Sequence, residues 1–450
     1  MNWLKSLSKQ LEKIVPPPQC HPEPDLRFAW TLTQLSVVLL PLSTLFGIAG
    51  SLIAVIIVWR SRGHHFIQQP IYWGFALLSG LMILSAAVAH SPPDAFLGLF
   101  NFLLFFVGFA GLSELIQTPA QLHRLAWLLV LPSVPVCLIG LGQTALGWLG
   151  YRQVLHIQIF WVVVQWMIDP SGTPPGRMSA NFFYANVLAN YLVITFVLTL
   201  GLGVTAFRQH RHREQILLGV TLLLNGVALI LTHSRNGWAI AAGACLGFAV
   251  YLGWRWLVLS VGALVALILG AAFAPPPLQD GLRQIVPKFF WARLTDQMFP
   301  NRPIPTLRST QWQFAWNLTQ ERPWFGWGLR NFQPLYLQQT GFILGHPHNF
   351  PLMMLCEIGI PATLLLFGLV GWMVMQGVRR LSSNGSESDE CLDADDRLLL
   401  FTFITAFLSN TVFNLFDVTL FDGRINLIGW LLLAGIWGLV APRAALRAGA

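Results

Sequence analysis

Residues 30–60 read WTLTQLSVVLLPLSTLFGIAGSLIAVIIVWR and contain no charged side chain before Arg60. About 20 apolar residues cross the hydrocarbon core of a bilayer as one helix, so this run is longer than a single crossing needs. Pro41 and two glycines interrupt it. These helix-breaking residues favour a tight hairpin of two spans, at 30–45 and 47–60, over one long helix.

The rest of the chain has the same apolar character. Its 450 residues are 55% hydrophobic and only 10% charged, a composition unlike that of a soluble globular domain. We therefore predict an all-α polytopic membrane protein of about 12 transmembrane helices, forming a single membrane domain over residues 1–450. After the hairpin, the predicted spans are 72–90, 95–116, 125–148, 184–206, 215–232, 236–253, 256–274, 349–376, 398–416 and 425–441.

Clusters of Lys and Arg predict the orientation, because such residues concentrate in cytoplasmic loops. With twelve spans, the clusters all fall on one side: Lys5/Lys9/Lys13, Arg60/Arg62, Arg208/Arg211/Arg213, Arg379/Arg380 and Arg443/Arg447. Both termini are then cytoplasmic, with a tail at 1–29 and a linker at 377–397. The opposite side carries a smaller extracytoplasmic loop at 149–183 and a large one at 275–346.

The large loop has seven basic and three acidic residues, a net charge of +4. Loops longer than about 60 residues are exempt from the positive-inside rule, so this charge does not contradict the orientation. A cationic outer surface favours an anionic ligand, although a solvated loop whose arginines bind nothing is the alternative. Helical spacing predicts short helices at 307–320 and 331–339, and a further amphipathic helix at 156–168 in the smaller loop.

Two polar motifs lie where predicted spans meet the outer boundary. In 232–237 (THSRNG), Arg235 either snorkels to lipid headgroups or holds phosphate oxygens at the mouth of a cavity. In 346–349 (HPHN), the two histidines fit an interfacial hydrogen-bond network or a proton acceptor with a pKa near neutrality. No third metal ligand with suitable spacing is evident, so we expect neither a metal nor a cofactor.

Other ionisable residues near this boundary are interpreted as structural at least in part. Glu357, inside a predicted span, is expected to be protonated or paired. The last outer turn is interpreted as a structural cluster rather than a catalytic one, and it contains Asp417, Asp422 and Arg424.

Taken together, these motifs resemble the ordered motifs of the O-antigen ligase and polymerase superfamily. The matching segments are 232–237, 308–312 followed by 323–328 (PWFGWG) and 331–332, 346–349, and 357–359 (EIG). The resemblance extends over about 176–440. It implies a metal-independent membrane glycosyltransferase of the GT-C type in the bacterial inner membrane. In such an enzyme, the large extracytoplasmic loop at 275–346 contains the short helices.

The resemblance also implies substrates and residue roles. Such enzymes take a glycan from undecaprenyl diphosphate on the outer side of the membrane. Ligases transfer it to the lipid A core and polymerases to another repeat unit, while some relatives glycosylate proteins. The catalytic positions are then His348, Arg308 and Arg235. The positions expected to bind substrate are Arg177, His346, Asn349 and Arg330.

The chemistry is consistent with these roles. Transfer releases a diphosphate, whose charge two arginines stabilise without a metal, and the acceptor hydroxyl needs a base such as His348. The donor's lipid tail is expected between spans 236–253 and 256–274. The expected partners are the lipid-linked donor, a lipid or glycan acceptor and membrane lipids, but no nucleic acid. The alternative of another class is a transporter of inorganic carbon or another solute, although transporters place ionisable groups nearer the midplane.

Overall fold

The computed structural model describes residues 20–146, 152–159, 162–168, 172–295, 297, 303–382 and 392–441. Within these residues the chain forms α1 (Arg27–Leu39), α2 (Thr44–Gln68), α3 (Pro70–Ala87), α4 (Pro92–Leu99), α5 (Leu103–Leu115), α6 (Pro119–Val130), α7 (Ser133–Leu146), β1 (Arg152–Ile159), β2 (Val162–Ile168), α8 (Ala185–Arg208), α9 (His212–Leu231), α10 (Arg235–Tyr251), α11 (Arg255–Phe273), α12 (Leu278–Ile285), α13 (Lys288–Leu294), α14 (Arg308–Glu321), α15 (Phe332–Thr340), α16 (Phe350–Ser382), α17 (Ala394–Phe416) and α18 (Gly423–Val440). The predicted helical membrane fold is confirmed.

Ten helical stretches in the described residues are long and apolar enough to cross a membrane. Two of them are pairs of consecutive helices, α4 with α5 and α6 with α7. The predicted spans 30–45 and 236–253 correspond to α1 and α10, which have only 13 and 17 residues. At 1.5 Å per residue, α1 is about 20 Å long, shorter than the ~30 Å hydrocarbon core. The twelve predicted spans are therefore ten of full length and two short helices.

The interrupted run at 30–60 forms two helices, α1 and α2, as the hairpin prediction requires. They pack closely, because a Cβ at Gly47 would lie 2.5 Å from the Cα of Leu40. A Cβ at Gly50 would likewise clash with the Ser36 hydroxyl. The two glycines thus allow the short helix to pack directly on its neighbour.

Successive membrane passes alternate between two ends of the bundle. At one end, called the site end, Arg177 joins the segment before α8 to the turn before α10. At the opposite end Gln209, just after α8, donates a hydrogen bond to Asp395 of α17. Both the start of α1 and the end of α18 lie at that opposite end, where His21 and Gly438 pack beside the end of α5. This arrangement gives an even number of passes, and which end is cytoplasmic stays a prediction.

The segment predicted as a helix at 156–168 is instead an antiparallel hairpin of β1 and β2. The prediction was wrong because the β-branched run Val162–Val164 and the alternation after it favour extended backbone. The other two short helices are confirmed as α14 and α15. Parts of the predicted tail 1–29, the smaller loop and the linker 377–397 lie outside the described residues, as do Asp296, Arg302, Arg443 and Arg447.

Helix α16 is interrupted at Gly359, whose φ of 80° and ψ of 169° are not helical. The loop 323–328 fits against this break. Two of its amides donate to the carbonyl oxygens of Cys356 and Glu357, at 2.9 and 2.8 Å. The amide that follows Gly359 donates back to the carbonyl oxygen of Pro323 at 2.8 Å. The loop therefore satisfies backbone groups that a broken helix would leave unpaired inside the bundle.

The side chain of Glu357 is hydrogen-bonded at this break in α16. One carboxyl oxygen, Oε1, accepts the backbone N–H of Phe332 at the start of α15, at 3.3 Å. The Ser85 hydroxyl of α3 donates to the carbonyl oxygens of Phe325 and Glu357. Glu357 thus joins α15 to α16 through Oε1, whereas its buried Oε2 has no hydrogen-bond partner among the described residues, and whether the group is protonated or paired stays a prediction.

Candidate functional site

The site end contains a hydrogen-bonded pair formed by His348 and Asp417. His348 lies in the turn before α16, and Asp417 is the first residue after α17. The distance between Nδ1 of His348 and Oδ1 of Asp417 is 2.9 Å. The φ of His348 is 51°, a left-handed conformation that is uncommon for a residue with a side chain. Such conformations cost about 1–3 kcal/mol and concentrate at functional sites.

The state of Asp417 decides which nitrogen of His348 carries a proton. Burial would raise the pKa of Asp417, but the hydrogen bond and charge of His348, helped by Asn186, hold it below its usual range. Asp417 is therefore a carboxylate at neutral pH and can only accept hydrogen bonds. Nδ1 of His348 must then carry the proton, which leaves Nε2 as the proton acceptor of the neutral ring.

His346 supports the backbone of His348. Its Nδ1 accepts the His348 backbone N–H at 3.2 Å, and the two rings lie edge to face with centroids 4.5 Å apart. The pKa of His346 is lowered to about 4, chiefly by burial, with smaller lowering effects of His348 and Arg308 and an opposing effect of Asp417. His346 is therefore neutral at physiological pH.

A third potential metal ligand is present after all. Among the described residues, one ligand atom each from His346, His348 and Asp417 lies within 4.8 Å of the others, a group that could hold a metal ion. The sequence did not indicate this because Asp417 is 69 residues from His348. The expectation of metal independence stays a prediction.

Helix α14 brings Arg308 to this group. Arg308 is the first residue of α14, and its charge acts on His346. One turn later, Nε1 of Trp312 donates to the carbonyl oxygen of Pro347 at 3.0 Å. This bond attaches α14 to the turn that contains both histidines, so the contacts place the predicted Arg308 and His348 in one region.

Arg235 begins α10, and Ser234 caps this helix by accepting the amide of Gly237 at 3.4 Å. His233, the residue before Ser234, has a left-handed φ of 52°. The turn that positions Arg235 is bound by Arg177, whose Nε donates to the carbonyl oxygen of Thr232 at 2.7 Å.

Arg177 binds protein groups on both sides. Besides the Thr232 carbonyl, its Nη2 donates to Oδ1 of Asn186 at 2.5 Å. Asn186 in turn donates through Nδ2 to Oδ2 of Asp417. The residue predicted to contact substrate is therefore part of a hydrogen-bonded chain that leads from the Arg235 turn to the catalytic candidate His348.

The other two predicted substrate-binding residues are used differently. Oδ1 of Asn349 accepts the amide of Leu352 at 2.9 Å and caps α16. Arg330 has a left-handed φ of 64°. Its side chain passes over Gly98 of α4. The described contacts do not connect either of these side chains directly to Asp417.

Asp417 and Asn186 are the site residues that the sequence interpretation missed. Asp417 was assigned to a structural cluster, and nothing singled out Asn186. One signal was present: Asp417 directly follows an apolar span, at the same boundary as His348. An acidic residue at such a place is a candidate partner for a histidine across the bundle.

An apolar cavity of about 100 Å³ lies between α16, α17 and α18. Its wall includes Phe350, two residues after His348, and Leu415, two residues before Asp417. Asn414 and Asn426 add polar groups to the wall. The cavity is therefore beside the His348–Asp417 pair, at a different place from the groove expected between spans 236–253 and 256–274.

A family model matches part of the chain. Residues 220–367 match the family model described as O-Antigen ligase, whereas no curated protein matches the chain significantly. The matched region contains Arg235, Arg308 and His348 and ends inside α16, before Asp417. This match to residues 220–367 supports a membrane glycan enzyme of the O-antigen ligase and polymerase type, and the apolar helices of the described residues are those of a multi-pass membrane protein.

Proposed function

We propose that this chain is a glycosyltransferase that moves a glycan from undecaprenyl diphosphate to an acceptor hydroxyl, on the lipid A core or another surface glycan. The observation that carries the proposal is the His348–Asp417 pair beside the charge of Arg308. Both His348 and Arg308 lie in the region of the O-antigen ligase family. A base next to a fixed cation is the combination that this transfer needs.

His348 acts as the general base. Its Nε2 takes the proton of the acceptor hydroxyl as the oxygen bonds to the anomeric carbon of the glycan. The bond from that carbon to the diphosphate breaks, and its electron pair leaves with the diphosphate. Asp417 keeps the imidazole in the tautomer that leaves Nε2 free and stabilises the imidazolium that forms, as the aspartate does in serine-hydrolase triads.

The arginines stabilise the leaving group. Negative charge grows on the diphosphate as the glycosidic bond breaks, and a guanidinium can bind two phosphate oxygens at once. Arg308 is the first candidate because its charge reaches His346. Arg235 is the second, because its turn is joined to the His348 region through Arg177. Fixed cations of this kind make the reaction independent of a metal.

The cavity beside the His348–Asp417 pair suits part of the donor's isoprenoid chain. Phe350, Phe407 and Leu420 give it an apolar wall, and it lies at the end of the bundle where the diphosphate would bind. In this arrangement the site end faces away from the cytoplasm of a bacterial cell. The protein then lies in the inner membrane with both termini in the cytoplasm.

The test is the glycan profile, on gels, of a null strain that expresses wild-type, His348→Ala or Arg308→Ala protein at equal membrane levels. Both variants are expected to lose a high-molecular-weight glycan while the undecaprenyl-linked donor accumulates. If the acceptor in these variants carries a single repeat, the enzyme is a polymerase. If the acceptor carries no added glycan, the enzyme is a ligase. If the null strain has the wild-type profile, the proposed function is wrong.

Arg283→Ala is the matched control. Arg283 belongs to the same long loop, but it binds the Ala271 carbonyl oxygen and stacks on Trp291. Its replacement removes the same charge from another part of the loop, so the glycan profile should stay that of wild type. If Arg283→Ala and Arg308→Ala lose the high-molecular-weight glycan to the same extent, only the net charge of the loop matters.

A further inference from the structure

Asp417 has two carboxyl oxygens, and both are held. Oδ1 accepts from His348 at 2.9 Å, and Oδ2 accepts from Nδ2 of Asn186. Asn186 is the second residue of α8, on the other side of the carboxyl group from the imidazole. Oδ1 of Asn186 accepts from Nη2 of Arg177 at 2.5 Å, and Nε of Arg177 donates to the Thr232 carbonyl oxygen at 2.7 Å.

The direction of every bond in this chain is determined by chemistry. A guanidinium has only donors, so the Asn186 side chain must present its oxygen to Arg177. Its NH₂ group then points the other way, toward a carboxylate that can only accept. If Asn186 turned its amide over, it would place its oxygen against Asp417 and its NH₂ against Arg177, and both bonds would be lost.

We propose that Asn186 and Arg177 are positioning residues for the base of the transfer reaction, acting on His348 through Asp417. The proposal rests on the proposed function. Arg177 fixes the orientation of the Asn186 amide, and the amide fixes the plane of the Asp417 carboxyl group. The carboxyl group then keeps Nε2 of His348 directed at the acceptor. Neither Asn186 nor Arg177 needs to touch the substrate.

The purely structural alternative is that Asn186 only ties α8 to the turn between α17 and α18. The two roles predict different kinetics. A positioning residue affects the chemical step, so its loss lowers kcat and leaves the KM for the donor almost unchanged. It also has no further effect once Asp417 is replaced, because its effect passes through that carboxylate. Loss of a purely structural contact lowers stability instead. Its fold effect on activity then multiplies with the fold effect of Asp417→Asn.

The experiment is a double-mutant cycle with purified full-length protein in lipid nanodiscs. The donor is the lipid-linked glycan isolated from the null strain, and its consumption with an acceptor is followed over time. Asn186→Ala is expected to lower kcat by about 10- to 100-fold, as does removal of the residues that orient metal-ligating side chains in metalloenzymes. In an Asp417→Asn background the same change should lower kcat by less than about 3-fold. Arg177→Gln, which leaves Asn186 in place, should give a similar pattern.

Asn225→Ala is the matched control, since Asn225 is another buried amide that joins helices. It donates to Ser133 and Thr221 and accepts from Thr195, away from Asp417. Its removal should lower the melting temperature as much as Asn186→Ala does while kcat stays at the wild-type value.

Two results would overturn the proposal. One is a kcat of Asn186→Ala and Arg177→Gln within about 2-fold of wild type, and the other is an equal fold loss with and without Asp417. If the wild type and His348→Ala consume the donor equally slowly, the proposed function itself fails, and the positioning role fails with it. Wild-type activity that depends on His348 separates these cases.

Discussion

Replacing Gly359 by Ala tests how the loop 323–328 is held against α16. Gly359 has φ 80° and ψ 169°, a region of backbone conformation that is essentially restricted to glycine. A Cβ there would lie against the carbonyl oxygen of Trp324 and 2.8 Å from the amide nitrogen of Phe325. Both partners are backbone atoms and cannot rotate away. The loop would therefore have to leave the break in the helix.

The expected loss of stability comes from the strained backbone of the new residue and from the hydrogen bonds that hold the loop. The strained conformation costs about 1–3 kcal/mol for a residue other than glycine. The three hydrogen bonds between the loop and the break contribute about 1 kcal/mol each. We expect Gly359→Ala to lower the free energy of unfolding by about 4–6 kcal/mol, which is unusual for a change of one methyl group. For a chain of this size the melting temperature should fall by about 4–6 °C.

The assay is thermal unfolding of the purified protein in detergent, followed by tryptophan fluorescence. Gly368→Ala is the control on the same helix, because a Cβ at Gly368 meets nothing within 4 Å. This control should be neutral or more stable by up to about 1 kcal/mol, since Ala favours a helix. Equal melting temperatures for the two variants would refute the reasoning about the break.

Three further outcomes are expected. Asp417→Asn removes the carboxylate that holds the His348 tautomer, so kcat should fall by about 10²- to 10⁴-fold while the protein stays folded, as measured by donor consumption and size-exclusion chromatography. Because the pKa of His346 is lowered from 6.5 to about 4, the unfolded chain binds this proton more tightly than the folded one. Stability is therefore lost as the pH falls from 6.5 to 4, by at most about 3 kcal/mol, and His346→Gln should flatten this slope in thermal melts at several pH values. Activity should survive incubation with EDTA, and a loss that added Mg²⁺ or Mn²⁺ restores would show that a metal takes part.

The membrane fold could be predicted because each span is local in sequence. Apolar length and helix-breaking residues are enough to indicate the helices and the hairpin at 30–60. Strand formation at 156–168 was missed because a short apolar segment carries both helical and strand periodicity, and the β-branched residues decided the outcome. The break at Gly359 has only a weak local signal, because glycine and proline also occur in unbroken membrane helices.

The site was predicted only in part, for a related reason. Arg235 and His348 stand out because they lie at the ends of apolar spans, whereas Arg308 was added by the resemblance to the O-antigen ligase and polymerase superfamily. The partners Asn186 and Asp417 are far away in sequence, and only the packing of α8, α16 and α17 brings them together. Their pairing depends on which helices are neighbours in the bundle, and one sequence does not contain that information.

The contact between the loop 323–328 and the break in α16 also constrains the order of assembly during synthesis. The ribosome makes the loop about thirty residues before it makes Cys356 and Glu357, whose carbonyl oxygens the loop must bind. The loop therefore stays without its partners until α16 has entered the bilayer. Asp417 is made later still, after α17. The site becomes complete only when nearly the whole chain has been inserted, so under the proposed function a nascent protein has no assembled site with which to transfer glycan.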